Sequence, residues 1–122
     1  SGPVRLIIDT DAANEIDDQF ALVYALISPE LDVQAVYAAP FLNARSTGPG
    51  DGMEKSYEEI ERVLSRLAGV GAERPATVLR GSTRFFEAAA RPVESEAAGH
   101  LVERAMAAKS AAFCDWRRWA KA

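Results

Sequence analysis

The stretch from Leu6 to Phe20, Leu-Ile-Ile-Asp-Thr-Asp-Ala-Ala-Asn-Glu-Ile-Asp-Asp-Gln-Phe, constrains everything that can surround it. Its apolar start, Val4 to Ile8, predicts a buried strand, and the apolar run after Asp17 predicts a helix beginning near that residue. Between them lie Asp9, Asp11, Glu15, Asp17 and Asp18, five carboxylates within ten residues of a strand end. Like charges a few ångströms apart raise one another's pKa and resist joint ionisation, so this crowding calls for a cation. Hard oxygen donors with no His or Cys among them point to calcium or magnesium rather than zinc. Helix capping and the helix dipole account for Asp17 and Asp18. They give no reason for Asp9 and Asp11 to alternate at the strand end, which is where open α/β sheets place their ligands.

Phe20, Ala21, Leu22, Tyr24, Ala25 and Leu26 give the helix a broad apolar face, stopped by Ser28-Pro29. Leu31 to Ala38 is β-rich and largely apolar, as a strand covered on both faces would be. Strand, helix, strand is a βαβ unit with a right-handed crossover. Residues 39–52, rich in Gly and Pro, are expected to form a long loop on the same edge as the acidic turn, with Asn43, Arg45 and Ser46 as its polar groups. Met53, Tyr57, Ile60, Leu64 and Leu67 recur at helical spacing up to Ala68, and Gly69 supplies a stop. Ala76 to Leu79 reads as a short strand, with Arg80-Gly81-Ser82-Thr83 as a connecting turn. A last helix, Ser95 to Ala108, places Ala98, Leu101, Val102, Ala105 and Met106 on one face, with His100 at its border as a surface residue. The fold class is therefore α/β, a small and mostly parallel sheet with flanking helices.

At 122 residues and 48% hydrophobic content the chain is one domain at most. That domain spans residues 4–108, preceded by Ser1-Gly2-Pro3, which resembles a scar of protease cleavage after expression. A net charge of −4 argues against a nucleic-acid-binding surface, and no apolar run is long enough to span a membrane. Cys114 stands alone, which excludes an internal disulfide and suits a reducing, cytoplasmic compartment.

Asp9-Thr10-Asp11, the short turn, Asp17-Asp18 and the apolar helix resemble the amino-terminal signature of the nucleoside hydrolases, the inosine-uridine-preferring N-ribohydrolases. That signature has the form Asp-x-Asp-Pro-Gly-x-Asp-Asp. Val33 to Ala38 resembles the family's second strand, and Asn43 in the loop after it resembles the ribose-binding asparagine. The resemblance is specific in the first fifty residues and weaker from there to about residue 106. It implies a calcium ion held by Asp9, Asp11 and Asp18, with Asp11 also the general base that takes a proton from a calcium-bound water. It implies further that Asp17 and Asn43 hold ribose hydroxyls. The family's Pro-Gly pair is absent and the turn is two residues longer. The added Asn14 and Glu15 are polar groups directed at the site, so the expected substrate is a ribonucleoside or ribose-like small molecule outside the common purine and pyrimidine set.

Beyond Ala108 the family pattern calls for another apolar strand, whereas the chain gives Lys-Ser-Ala-Ala-Phe-Cys-Asp-Trp-Arg-Arg-Trp-Ala-Lys-Ala. Residues 109–122 are thus an atypical aromatic and basic tail, and the chain is expected to be a shortened or reading-frame-altered hydrolase. A shortened sheet leaves an open edge and uncovered apolar surface, so a homo-oligomer is expected, with Phe113, Trp116 and Trp119 as contributors. Two other readings share these residues. One is a calcium- and ribose-binding remnant without turnover. The other is a haloacid dehalogenase-type phosphatase, in which Asp9 would be the nucleophile and Asp11 the acid.

Overall fold

The computed structural model describes residues 2–72, 77–88 and 91–108. The elements are β1 (Val4–Thr10), α1 (Ile16–Ile27), β2 (Leu31–Ala38), α2 (Pro49–Ala68), β3 (Thr77–Arg80) and α3 (Glu96–Ala107). The three strands form one parallel sheet in the order β1-β2-β3. This is the α/β arrangement expected from the sequence, in a small and partial form. The aromatic tail lies outside the described residues, as does Ala76. Among the described residues no helix is long and apolar enough to cross a membrane.

The two faces of the sheet are covered differently. Leu22 of α1 and Met53, Ile60, Val63 and Leu64 of α2 pack against Val36 and Ala38, so α1 and α2 share one face. On the other face Ala97 of α3 meets Ala35 and Tyr37. A single irregularity divides the strand pairing: Leu6 aligns with Val33 but Ile7 with Ala35, which leaves Gln34 as an extra residue. That bulge lets Val33 and Val36 face the same core although they stand three positions apart, an odd offset that in a regular strand would place them on opposite faces. It also sets Asp9 directly beside Tyr37.

Three expectations are corrected, and the state of the α3 face is added. The first strand is not buried throughout: β1 is paired on one side only among the described residues, Val4 is exposed, and Leu6 to Ile8 are half-buried. Residues 49–52 are not loop but the first turn of α2. Pro49 suits a first helical turn, whose N–H groups lack partners in any case. Gly52 is required by packing, because a Cβ there would lie 2.0 Å from the Phe41 carbonyl oxygen. On α1, Phe20 and Tyr24 face outward, and the core takes Leu22 and Ala25 instead. On α3 the apolar face is largely uncovered, with Val102 and Met106 exposed and Ala97 the buried residue.

Candidate functional site: the carboxyl edge of the sheet

The strands end side by side, tied by backbone bonds from Ala39 N–H to the Thr10 carbonyl (2.9 Å) and from Gly81 N–H to the Ala38 carbonyl (2.9 Å). Gly81 has to be glycine for this approach, since a Cβ would fall 2.3 Å from the Ala38 oxygen. After β1 the chain turns at once, with the Asn14 N–H bonded to the Asp11 carbonyl at 2.7 Å, and the buried Ala12 anchors that turn in the core.

The side chains of the turn are joined to the loop after β2. Arg45 N–H donates to Asn43 Oδ1 at 2.7 Å, Asn43 Nδ2 donates to Asn14 Oδ1 at 2.7 Å, and Asn14 Nδ2 donates to Asp11 Oδ2 at 2.8 Å. Asn14 therefore fixes one oxygen of Asp11. An amide offers two donors and two lone pairs, so Asn43 and Asn14 each retain capacity for a ligand. Ser46 Oγ accepts from the Asn43 N–H at 3.0 Å, and Lys55 Nζ donates to the Arg45 carbonyl, which pins this loop to α2.

The carboxylates converge in pairs that share Asp11. Partial burial and a hydrogen bond with Asp11, which requires a proton, push Asp18 up to about 6; the charges of Asp11 and Asp17 add to the shift and the nearby Thr10 hydroxyl opposes it. Thr10 is only 8% exposed, and its Oγ1 has no hydrogen-bond partner that meets normal geometry, although the hydroxyl acts on Asp18 from nearby. Asp9 is raised by burial and by Asp11, although solvent reaches it. Asp17 and Glu15 are exposed at the start of α1, and Glu15 makes no capping bond from its side chain. Among the described residues, no group of three or more His, Cys, Asp or Glu side chains is assembled to hold a metal ion. The structure thus brings together Asp11 with Asp18, Asp11 with Asp9, and Asp11 with Asn14 and Asn43.

Asp9 also opens onto a cavity of about 320 Å³ on the α3 side, which Tyr37, Pro40, Ser82, Ser95 and Leu101 help to line. The cavity lies at the carboxyl ends of the strands, the edge at which open α/β sheets accommodate ligands. The turn after β3, expected only to connect, reaches it through Gly81 and Ser82. His100, expected at the surface, is half-buried, and its Nδ1 is 2.6 Å from the Tyr37 hydroxyl. Burial raises the Tyr37 pKa and Asp9 adds to the rise, with Arg104 opposing both. Sequence reasoning missed Thr10, Tyr37 and the role of His100. The alternation of Asp9 with Ile7 placed Asp9 on a face, but the register that brings Tyr37 beside it depends on a bulge that carries no local signal.

Comparison of the chain with family models, with curated proteins and with solved structures finds no match.

Proposed function

We propose that this chain is a nucleoside hydrolase-like protein whose carboxyl edge takes calcium and the ribose of a small-molecule ribonucleoside, the ancestral reaction being hydrolysis of the N-glycosidic bond to ribose and free base. The observation that carries the reading is the meeting at Asp11 of a second carboxylate, Asp18, with the amide line of Asn14 and Asn43. The donor chemistry suits calcium: Asp9, Asp11 and Asp18 offer hard oxygens, burial together with the neighbouring Asp11 charge raises the pKa of Asp9 and Asp18, and Thr10 adds a hydroxyl. Because both carboxylate pairs share Asp11, one cation there relieves both. With one oxygen of Asp11 held by Asn14 and one donor from each side chain, these residues supply fewer than the 6 to 8 oxygens that calcium takes, so water and sugar hydroxyls are needed to complete the set.

Bound calcium supplies positive charge and makes a neighbouring water more acidic. Asp11 accepts the water's proton, and Asn14 keeps its carboxylate turned for the task. Asp17, exposed at the first turn of α1, accepts from a ribose hydroxyl, as Asn43 does from the loop after β2, and the exposed Glu15 precedes the same helix. The apolar cavity beside Asp9 is the available space for the leaving group.

One observation favours binding without turnover: Tyr37, the phenol that lines the leaving-group space, is already engaged with His100 Nδ1 at 2.6 Å. The test is a calorimetric calcium titration of the full chain, alone and with ribose, followed by a nucleoside turnover assay. Calcium binding that ribose strengthens, with release of free base, supports the hydrolase. Binding without release supports the non-catalytic alternative, and no binding at millimolar calcium rejects both.

A further inference from the structure

We infer that the substrate matched to this site is an N-ribosylpyridinium, a riboside whose base carries a fixed positive charge and leaves without needing a proton. The inference rests on the hydrolase reading above and deepens it by naming the leaving group.

The first ground is charge. The cavity of about 320 Å³ beside Asp9 has room for an aromatic ring, and most of its lining, including Ile7, Pro40, Ala97 and Leu101, is apolar. Asp9 is the only charged residue among those described along its wall. A neutral nucleoside whose base leaves unprotonated develops negative charge against that carboxylate, and like charges repel. A pyridinium develops none, because its positive charge passes to the sugar as the bond breaks. A divalent ion at Asp9, Asp11 and Asp18 offsets only two of their three charges, so the site stays favourable to a cation throughout.

The second ground is the want of an acid. Departure of a neutral nucleoside's base calls for a general acid, and the strongest candidate on the cavity wall is Tyr37, since the hydroxyls of Ser82 and Ser95 are weaker acids than a phenol. The Tyr37 hydroxyl lies 2.6 Å from His100 Nδ1. A phenol has one proton, and with the imidazole proton on Nε2 that one is donated to Nδ1 and not to the cavity. Asp9 is taken by the cation, and His100 is not among the residues that line the space. A pyridinium dispenses with the acid altogether. Both electrons of its C–N bond pass to the ring nitrogen, which cancels the ring's charge, and a neutral pyridine departs. The oxygen of water bonds to the anomeric carbon, and the proton of that water goes to Asp11.

The test uses the full chain and reads binding before turnover. Without calcium, the backbone amide shifts of Ala97, Ala98 and Leu101 are followed during titration with the N-methylnicotinamide cation or with neutral nicotinamide. The cation is expected to bind about fivefold more tightly or better, and equal binding overturns the inference. With calcium, turnover is then measured on nicotinamide riboside, its neutral dihydropyridine form, uridine and inosine. The cationic riboside is expected to exceed the other three by at least about a hundredfold in kcat/KM, the usual contribution of a general acid. Asp11→Ala, verified as folded by circular dichroism, is expected to lose that cleavage. Uridine or inosine cleaved at a comparable rate overturns the inference and leaves the hydrolase reading standing. Cleavage of none of the four, with calcium and ribose still bound, overturns it in favour of binding without turnover. A chain that binds no calcium and cleaves none removes the hydrolase reading as well.

Discussion

The two faces of the sheet contrast in what they hold. On one, α1 and α2 close over eight buried residues from Ala12 to Leu64. On the other, α3 buries Ala97 and little else, and leaves a cavity whose wall includes Asp9 and Tyr37, with His100 behind Tyr37. Apolar burial is the main stabilising term in folding, so the first face carries the stability. The second is free to expose polar groups at a strand end, and the acidic turn lies at the seam between them.

The contrast is broken most directly by emptying each face. Ile60→Ala in the closed core should cost about 2–5 kcal/mol in chemical denaturation, whereas Leu101→Ala on the open face should cost about 1 kcal/mol or less. Equal losses would mean that α3 contributes more than its burial suggests. Gly52→Ala comes next: its Cβ at 2.0 Å from the Phe41 oxygen forces α2 away from the loop, at about 1–3 kcal/mol. The same variant should loosen Asn43, visible as faster exchange of the Arg45 and Ser46 amide protons.

On α3, Ser95 caps the helix by accepting from the Ala98 N–H at 3.1 Å. Ser95→Ala should lower stability by about 1 kcal/mol, and less if α3 already frays from the sheet.

The smallest effect is the pH dependence of the seam. Asp18 has an ordinary value of 3.8 and is pushed up to about 6 in the fold, so the fold prefers its neutral form. Its contribution to stability is complete below 3.8 and is lost as pH rises through about 6; Asp9, also raised, acts in the same direction. Asp18→Asn should therefore stabilise the metal-free chain at neutral pH and flatten the fall between pH 4 and 7, read by thermal unfolding across that range. Solvent screening of this partly exposed group keeps the gain modest.

Much of the closed face was legible in the sequence. The spacing of Met53, Ile60 and Leu64 marks the buried side of α2, and these are the residues that reach the core. The start of α2 was not, because Gly-Pro-Gly-Asp-Gly reads locally as a loop and only the close approach of Phe41 explains Gly52. Phe20 and Tyr24 were misplaced because helical periodicity defines an apolar sector without saying how much of it the sheet can cover. At the site, the strand end and acidic turn were readable from composition, and the juxtaposition of Asn14 with Asp11 and Asn43 follows from the turn's length. Tyr37 and His100 are brought together across 63 residues, and no local pattern announces such a pair.

The central claim, that the shared carboxylates at Asp11 form a cation site, is tested most directly by thermal unfolding of the full chain at pH 5 and pH 7.5, with and without millimolar calcium. Ionised carboxylates bind the ion and protonated ones do not, so Tm should rise clearly at pH 7.5, much less at pH 5, and not at all in Asp11→Ala. A Tm that calcium leaves unchanged at pH 7.5, or raises equally in Asp11→Ala, would contradict it.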